Sequence, residues 1–128
     1  LTAPVSARIL FVEDDDSVRS AFVRALRREG EEVDEYTDGE GVAEVIRRGN
    51  YRVVVLDMRL PGVSGFDVLR QLNDDEHTPP IVILSASSED VNRIAGNRHV
   101  LLSINKTFAL QHLEPVVAAL AAVARAEV

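Results

Sequence analysis

Four apolar residues, Val53-Val54-Val55-Leu56, three of them β-branched, run straight into Asp57, and Pro61-Gly62 follows after Met58-Arg59-Leu60. An apolar run of this length closed by a turn signal predicts a strand buried on both faces, the kind found at the centre of a parallel sheet. Asp57 then stands at its carboxyl end, the edge of an open α/β sheet where ligands bind and chemistry is done. A carboxylate there is a candidate nucleophile, a candidate metal ligand, or both.

The rest of the chain supplies the sheet. Arg8–Val12 reads as a first buried strand that ends in four consecutive carboxylates, Glu13 to Asp16. Val18, Ala21, Phe22, Ala25 and Leu26 recur at helical spacing, with Asp15, Asp16 or Ser17 as the cap and Gly30 as the stop. The opposite face of this helix carries Arg19, Arg24, Arg27 and Arg28. Glu32–Tyr36 is a short polar strand suited to a sheet edge. A second helix is expected after Gly39 and Gly41, with Val42, Val45 and Ile46 inward, and a third around Phe66, Leu69 and Leu72. Ile81–Leu84 is a further buried strand leading into Ser85. A weak fourth helix carries Val91, Ile94 and Ala95, and Val100–Ile104 is the fifth strand, with Lys106 just beyond it. One last helix is predicted from about Ala109 to Ala126, its stripe made of Leu110, Leu113, Val117, Leu120 and Ala121 and widened by Val116 and Val123. The stripe is mostly a core face, and its breadth also suits a homodimer surface or the start of a connecting helix. Strand and helix alternate five times, which implies a parallel sheet covered on both faces. The expected organisation is a tail over residues 1–7 and one domain over 8–126 within the 128 residues.

Composition removes several functions. There is no cysteine, hence no disulfide, thiolate metal site or cysteine nucleophile, which fits a cytoplasmic protein. The net charge of −7, from 21 acidic and 14 basic residues, argues against nucleic-acid binding by this segment. No apolar run approaches the ~20 residues that span a bilayer. His77, His99 and His112 form no ligand set and read as surface residues.

Parallel strands deliver their carboxyl ends to one edge, so Glu13, Asp14, Asp57, Ser85 and Lys106 are expected together. Three converging carboxylates repel one another, and an all-oxygen set with room for water suits Mg²⁺. The chemistry this points to is phosphoryl transfer to a carboxylate, with the metal, Lys106 and the Ser85 hydroxyl covering the phosphoryl oxygens. A turnover phosphatase of the strand-end aspartate type needs a second aspartate two residues after the first; Arg59 stands there.

The motifs Ile9-Leu-Phe-Val-Glu-Asp-Asp-Asp16 with Arg19, Val55-Leu-Asp-Met-Arg-Leu-Pro-Gly-Val-Ser-Gly65, Ile83-Leu-Ser-Ala86 and Lys106-Thr-Phe108 together resemble a response-regulator receiver domain of bacterial two-component signalling, over roughly residues 8 to 125. The resemblance implies a flavodoxin-like (βα)5 fold with strand order 2-1-3-4-5. It implies Asp57 as phospho-acceptor, Asp14 as a direct Mg²⁺ ligand with Glu13 as its partner, the Arg59 backbone carbonyl as a third protein ligand, Ser85 as the switch hydroxyl and Lys106 as the phosphate-pairing lysine. It also implies a histidine kinase or histidine phosphotransfer protein as donor, docking on the first-helix side, an output domain outside this chain, and no enzymatic role beyond the domain's own phosphorylation and dephosphorylation.

The chain departs from the family pattern in three places. Thr107 replaces the usual cis proline, so a trans bond is expected. Ser103 stands where an aromatic switch residue is usual. The interval from Ser85 to Lys106 is about one residue short, which predicts a remade fourth helix. These departures motivate a second reading, a receiver-like interaction module whose binding ignores phosphorylation.

Overall fold

The computed structural model describes residues 8–126; the expected tail at 1–7 lies outside them. Five parallel strands form one sheet in the order β2-β1-β3-β4-β5. They are β1 (Ile9–Val12), β2 (Val33–Tyr36), β3 (Val53–Asp57), β4 (Ile81–Ser85) and β5 (Val100–Asn105). The helices are α1 (Asp16–Arg28), α2 (Val42–Arg48), α3 (Gly65–Gln71), α4 (Ser88–Arg93), α5 (Lys106–Gln111) and α6 (Leu113–Arg125).

Because strand side chains alternate between faces, the apolar strands feed two cores. Ile9, Phe11, Val53, Val55, Val82 and Leu84 pack against Phe22 and Leu26 of α1 and Val117 and Leu120 of α6. Leu10, Val12, Val54, Leu56, Ile81 and Ile83 pack against Ile46 of α2, Val68 and Leu69 of α3, and Ile94. The central strand is fully buried, as its uninterrupted apolar run predicts. The polar β2 lies at one edge, also as expected.

The other edge holds the differences. The single last helix expected from residue 109 to 126 is two helices, parted at His112 (φ −124°, ψ 49°). Pro115 explains the break. In a continuous helix its ring would press on the carbonyl of Gln111 and its nitrogen would donate nothing, whereas in the first turn of α6 neither penalty arises. Leu110 consequently misses the core and is exposed, while Val116 and Ala124 enter it. In the fourth helix only Ile94 of the expected apolar trio is buried; Val91 and Ala95 face solvent and Asp90 is buried instead. His99, expected on the surface, is buried with Nε2 2.8 Å from the Leu72 carbonyl. Finally, β5 slips against β4 by one residue: Ile81 faces Val100 but Val82 faces Leu102, leaving Leu101 as an unpaired bulge.

Candidate phosphoryl-acceptor and metal site

The register brings the predicted residues to one edge. Val12 pairs with Leu56, so Glu13 and Asp14 leave β1 beside Asp57, the last residue of β3. Ser85 ends β4, and Lys106 opens α5 directly after β5, whose last residue, Asn105, caps that helix by accepting from the Phe108 amide at 3.0 Å. The chain passes from strand to helix here through a trans bond; no cis peptide occurs among the described residues.

Local chemistry fixes each wall. Asp15 caps α1, its Oδ1 accepting from the amides of Ser17 (2.9 Å) and Val18 (3.1 Å). That settles the cap among the three candidates and directs Glu13 and Asp14 toward β3. Arg19, one turn into α1, donates to the Glu13 carbonyl at 2.9 Å and so holds the acidic loop from below. Across the site, Gly65 lets α3 begin against the backbone of β3. A Cβ at this position would stand 2.4 Å from the Asp57 carbonyl oxygen and 2.8 Å from the Met58 Cα. Ser64 and Asp67 close a reciprocal capping box over that start.

Glu13 and Asp57 are buried and Asp14 is exposed, and each offers a carboxylate oxygen within 4.8 Å of the other two. Lys106 sits among them, its Nζ 3.0 Å from Asp57 Oδ2 and 2.9 Å from Glu13 Oε1. Asp57 Oδ1 accepts from the Arg59 amide at 3.1 Å. Burial pushes the Glu13 carboxyl up to about 7, and the nearby Asp57 charge pushes the same way against the opposing pull of Lys106 and the Asp15 amide. Burial also works to lower Lys106, but the close Glu13 carboxylate and the charge of Asp57 outweigh this and the ammonium is held above its ordinary value. Glu13 Oε1 is buried, has an ammonium beside it and accepts no aligned hydrogen bond. A buried carboxylate oxygen with acceptor capacity to spare, facing two more carboxylates, fits a hard divalent cation. Ser85 is present but turned aside: its hydroxyl donates to the Ser87 carbonyl at 2.7 Å and accepts from the Ser87 amide at 3.1 Å.

Two contributors escape the sequence reading. The side chain of Arg59, for which the sequence offers no partner, grips Asp90 of α4 with Nε 3.0 Å from Oδ2 and Nη2 2.5 Å from Oδ1. Asp90 carries no motif, and an aspartate at a helical position where Val91 and Ile94 suggest an apolar face reads as solvent-exposed. The basic face of α1 is also less free than expected. Arg19 pairs with Asp16 and Glu35, and Arg27 pairs with Glu35, leaving Arg24 and Arg28 as the exposed cations of that face outside these pairs.

Residues 9–118 match the family model described as the response regulator receiver domain, and the chain belongs to that family. Among curated proteins it is 39% identical over 89 residues to the transcriptional regulatory protein TcrA of Mycobacterium tuberculosis, covering 70% of this chain and 35% of TcrA. It is 34% identical over 88 residues to the transcriptional regulatory protein AfsQ1 of Streptomyces coelicolor, covering 69% of this chain and 39% of AfsQ1. The chain thus spans little more than a third of the curated relatives it matches. A similar solved structure is the response regulator TrrA of Thermotoga maritima in complex with Mg²⁺ and BeF, with TM-score 0.71 and 29% identity over 88% of this chain and 97% of that one. Domains of this family act in signalling alongside kinases and output domains and are not turnover enzymes in the ordinary sense. No described helix is long and apolar enough to cross a membrane.

Proposed function

We propose that the domain accepts a phosphoryl group on Asp57 from a histidine kinase or histidine phosphotransfer protein. The observation that carries this reading is the acidic trio of Glu13, Asp14 and Asp57 sharing Lys106 at 2.9 and 3.0 Å from two of its members. A carboxylate oxygen of Asp57 forms the new bond to phosphorus as the donor's P–N bond breaks, and the bonding pair leaves with the histidine. Bound Mg²⁺, held by Glu13, Asp14, Asp57 and the Arg59 carbonyl, would supply the neutralising charge that lets an anion approach three carboxylates. Lys106 covers a second side of the phosphoryl group. Ser85 gives up its contacts with Ser87 and turns its hydroxyl to a third. The same residues serve the return reaction with water, which is the domain's own dephosphorylation. The modified state then biases a surface read by a partner or an output domain.

Incubation with Mg²⁺ and acetyl phosphate, followed by intact-mass measurement, tests the assignment. The wild type gains the mass of one phosphoryl group and Asp57→Asn gains none. Uptake by the variant, or absence of uptake by the wild type both here and with beryllofluoride as an analogue, overturns it.

A further inference from the structure

Helix α4 is docked in an unusual way. Its six residues bury a single side chain, and that side chain is a carboxylate, Asp90, with no solvent exposure. Both of its oxygens are taken by the guanidinium of Arg59. The buried apolar residue beside it is Ile94 at the helix end, and Arg93 adds a guanidinium 3.7 Å from the centroid of the Phe66 ring. Val91, the apolar residue within the helix, is only partly covered, at 37% exposed. Most surface helices are held by an apolar stripe; this one is held in large part by an ion pair, and the cation of that pair belongs to the loop that leaves Asp57.

Arg59 is attached through its amide, through the ion pair with Asp90 and through the face of the Phe66 ring. Its amide donates to Asp57 Oδ1 at 3.1 Å, which fixes its backbone at the acceptor site. Its side chain is 62% exposed whereas that of Asp90 is fully buried, so an exchange of partners asks Arg59 to move, away from Asp90 and from the Phe66 ring whose centroid lies 5.9 Å from its guanidinium carbon. Phosphorylation replaces one carboxylate charge by a dianion with three strong acceptors two residues away from Arg59. A guanidinium fork binds phosphoryl oxygens as readily as it binds a carboxylate. Once deprived of Arg59, Asp90 is a buried charge without a partner, which a six-residue helix with one apolar anchor is poorly built to retain.

We propose that Arg59 and Asp90 form an ionic latch in which Asp90 is a positioning residue: it holds the Arg59 guanidinium off the acceptor site in the unmodified protein, and in the modified protein Arg59 exchanges Asp90 for the phosphoryl group and releases α4. This rests on the reading of Asp57 as phospho-acceptor. It gives the chain a route from site to surface that does not pass through position 103, where the residue is Ser103.

Linkage makes the latch testable with Mg²⁺ and beryllofluoride as the probe. If loading opens the latch, removing its closed form must favour loading by the same factor. Asp90→Asn is expected to bind beryllofluoride about tenfold more tightly than the wild type. Arg59→Met, which removes the group that is exchanged, is expected to bind it more weakly. Loss of one charge of either sign near an anion shifts its affinity in these same directions, so both variants are also measured in about 1 M salt, where that bare charge effect is screened and only the exchange of a direct contact keeps the two signs opposite. Equal or same-signed changes overturn the latch and leave the acceptor assignment standing; failure of the wild type to bind overturns both. Amide hydrogen exchange gives a second arm should Asp90→Asn not fold. In Arg59→Met the amides of Val91 to Arg93 are expected to exchange about tenfold faster than in the unloaded wild type, with no further gain on saturating beryllofluoride. A further gain on loading overturns the proposal.

Discussion

Helices α1 and α4 flank the same site and are built on opposite plans. The thirteen residues of α1 bury Val18, Phe22, Val23, Ala25 and Leu26, and Phe22 stacks on Phe11 of β1 with ring centroids 5.4 Å apart. The six of α4 bury one aspartate. Behind the acidic loop the scaffold is apolar, over-determined and difficult to move. Behind Ser85 it is short, polar and tied to the site by hydrogen bonds from Arg59 and Ser87. The contrast suits the division of labour proposed above: residues that are to hold a metal need fixed geometry, whereas an element that is to report a change of charge must lie near the low end of the local stability range.

The sharpest break between the two sides is chemical. Asp57→Asn is expected to abolish phosphoryl uptake while the sheet is retained, read by intact mass beside far-UV circular dichroism. Next comes the rigid wall: Phe22→Ala removes a fully buried ring and should cost about 3–5 kcal/mol in urea unfolding. Gly65→Ala tests the junction between α3 and the acceptor strand. Its methyl has backbone on its near side and cannot be accommodated by a side-chain rotation, so a loss of about 1–3 kcal/mol is expected.

Protonation of Glu13 gives a smaller effect with a definite sign. Its carboxyl sits near 7 in the folded chain against 4.5 as its ordinary value. Between those values the native state holds a proton that the unfolded state has lost, so the metal-free protein should lose stability as pH rises from about 4.5 to about 7 and level off above. Urea midpoints across this range measure it, and Glu13→Gln should flatten the curve; a stability that rises with pH only in the wild type would refute the assignment. Divalent-ion affinity should move oppositely and weaken as pH falls below 7. Smallest of all, Val91→Ala on the loose side is expected to change stability by no more than about 0.5 kcal/mol. A loss comparable to that of Phe22→Ala would erase the distinction between the two helices.

Where the chain is apolar and periodic, its sequence reads directly into structure. The run at Val53–Leu56 and the spacing of Val18, Phe22 and Leu26 announce the central strand and the rigid helix, and the strand-end logic alone assembles Glu13, Asp14, Asp57, Ser85 and Lys106 before any resemblance is invoked. Elsewhere the deciding interactions are long-range and polar. Nothing near Asp90 says that Arg59, thirty-one positions earlier, will bury it. His99 reads as a surface residue until the Leu72 carbonyl stands beside it. The division of the last helix, by contrast, was open to view: Pro115 lies inside the apolar stripe, and the stripe's periodicity conceals a backbone that cannot continue through it.

The slipped register of β5 has a consequence for the company this domain keeps with itself. Leu101 and Leu102 stand side by side in solvent on an open strand edge. Such an edge is ordinarily a template for a neighbouring molecule's strand, and two adjacent leucines would strengthen the invitation. The bulge at Leu101 breaks the even row of amides and carbonyls at that point, so a flat incoming strand loses its register there. The greasiest stretch of the outer edge is thereby the stretch whose backbone is least suited to strand addition.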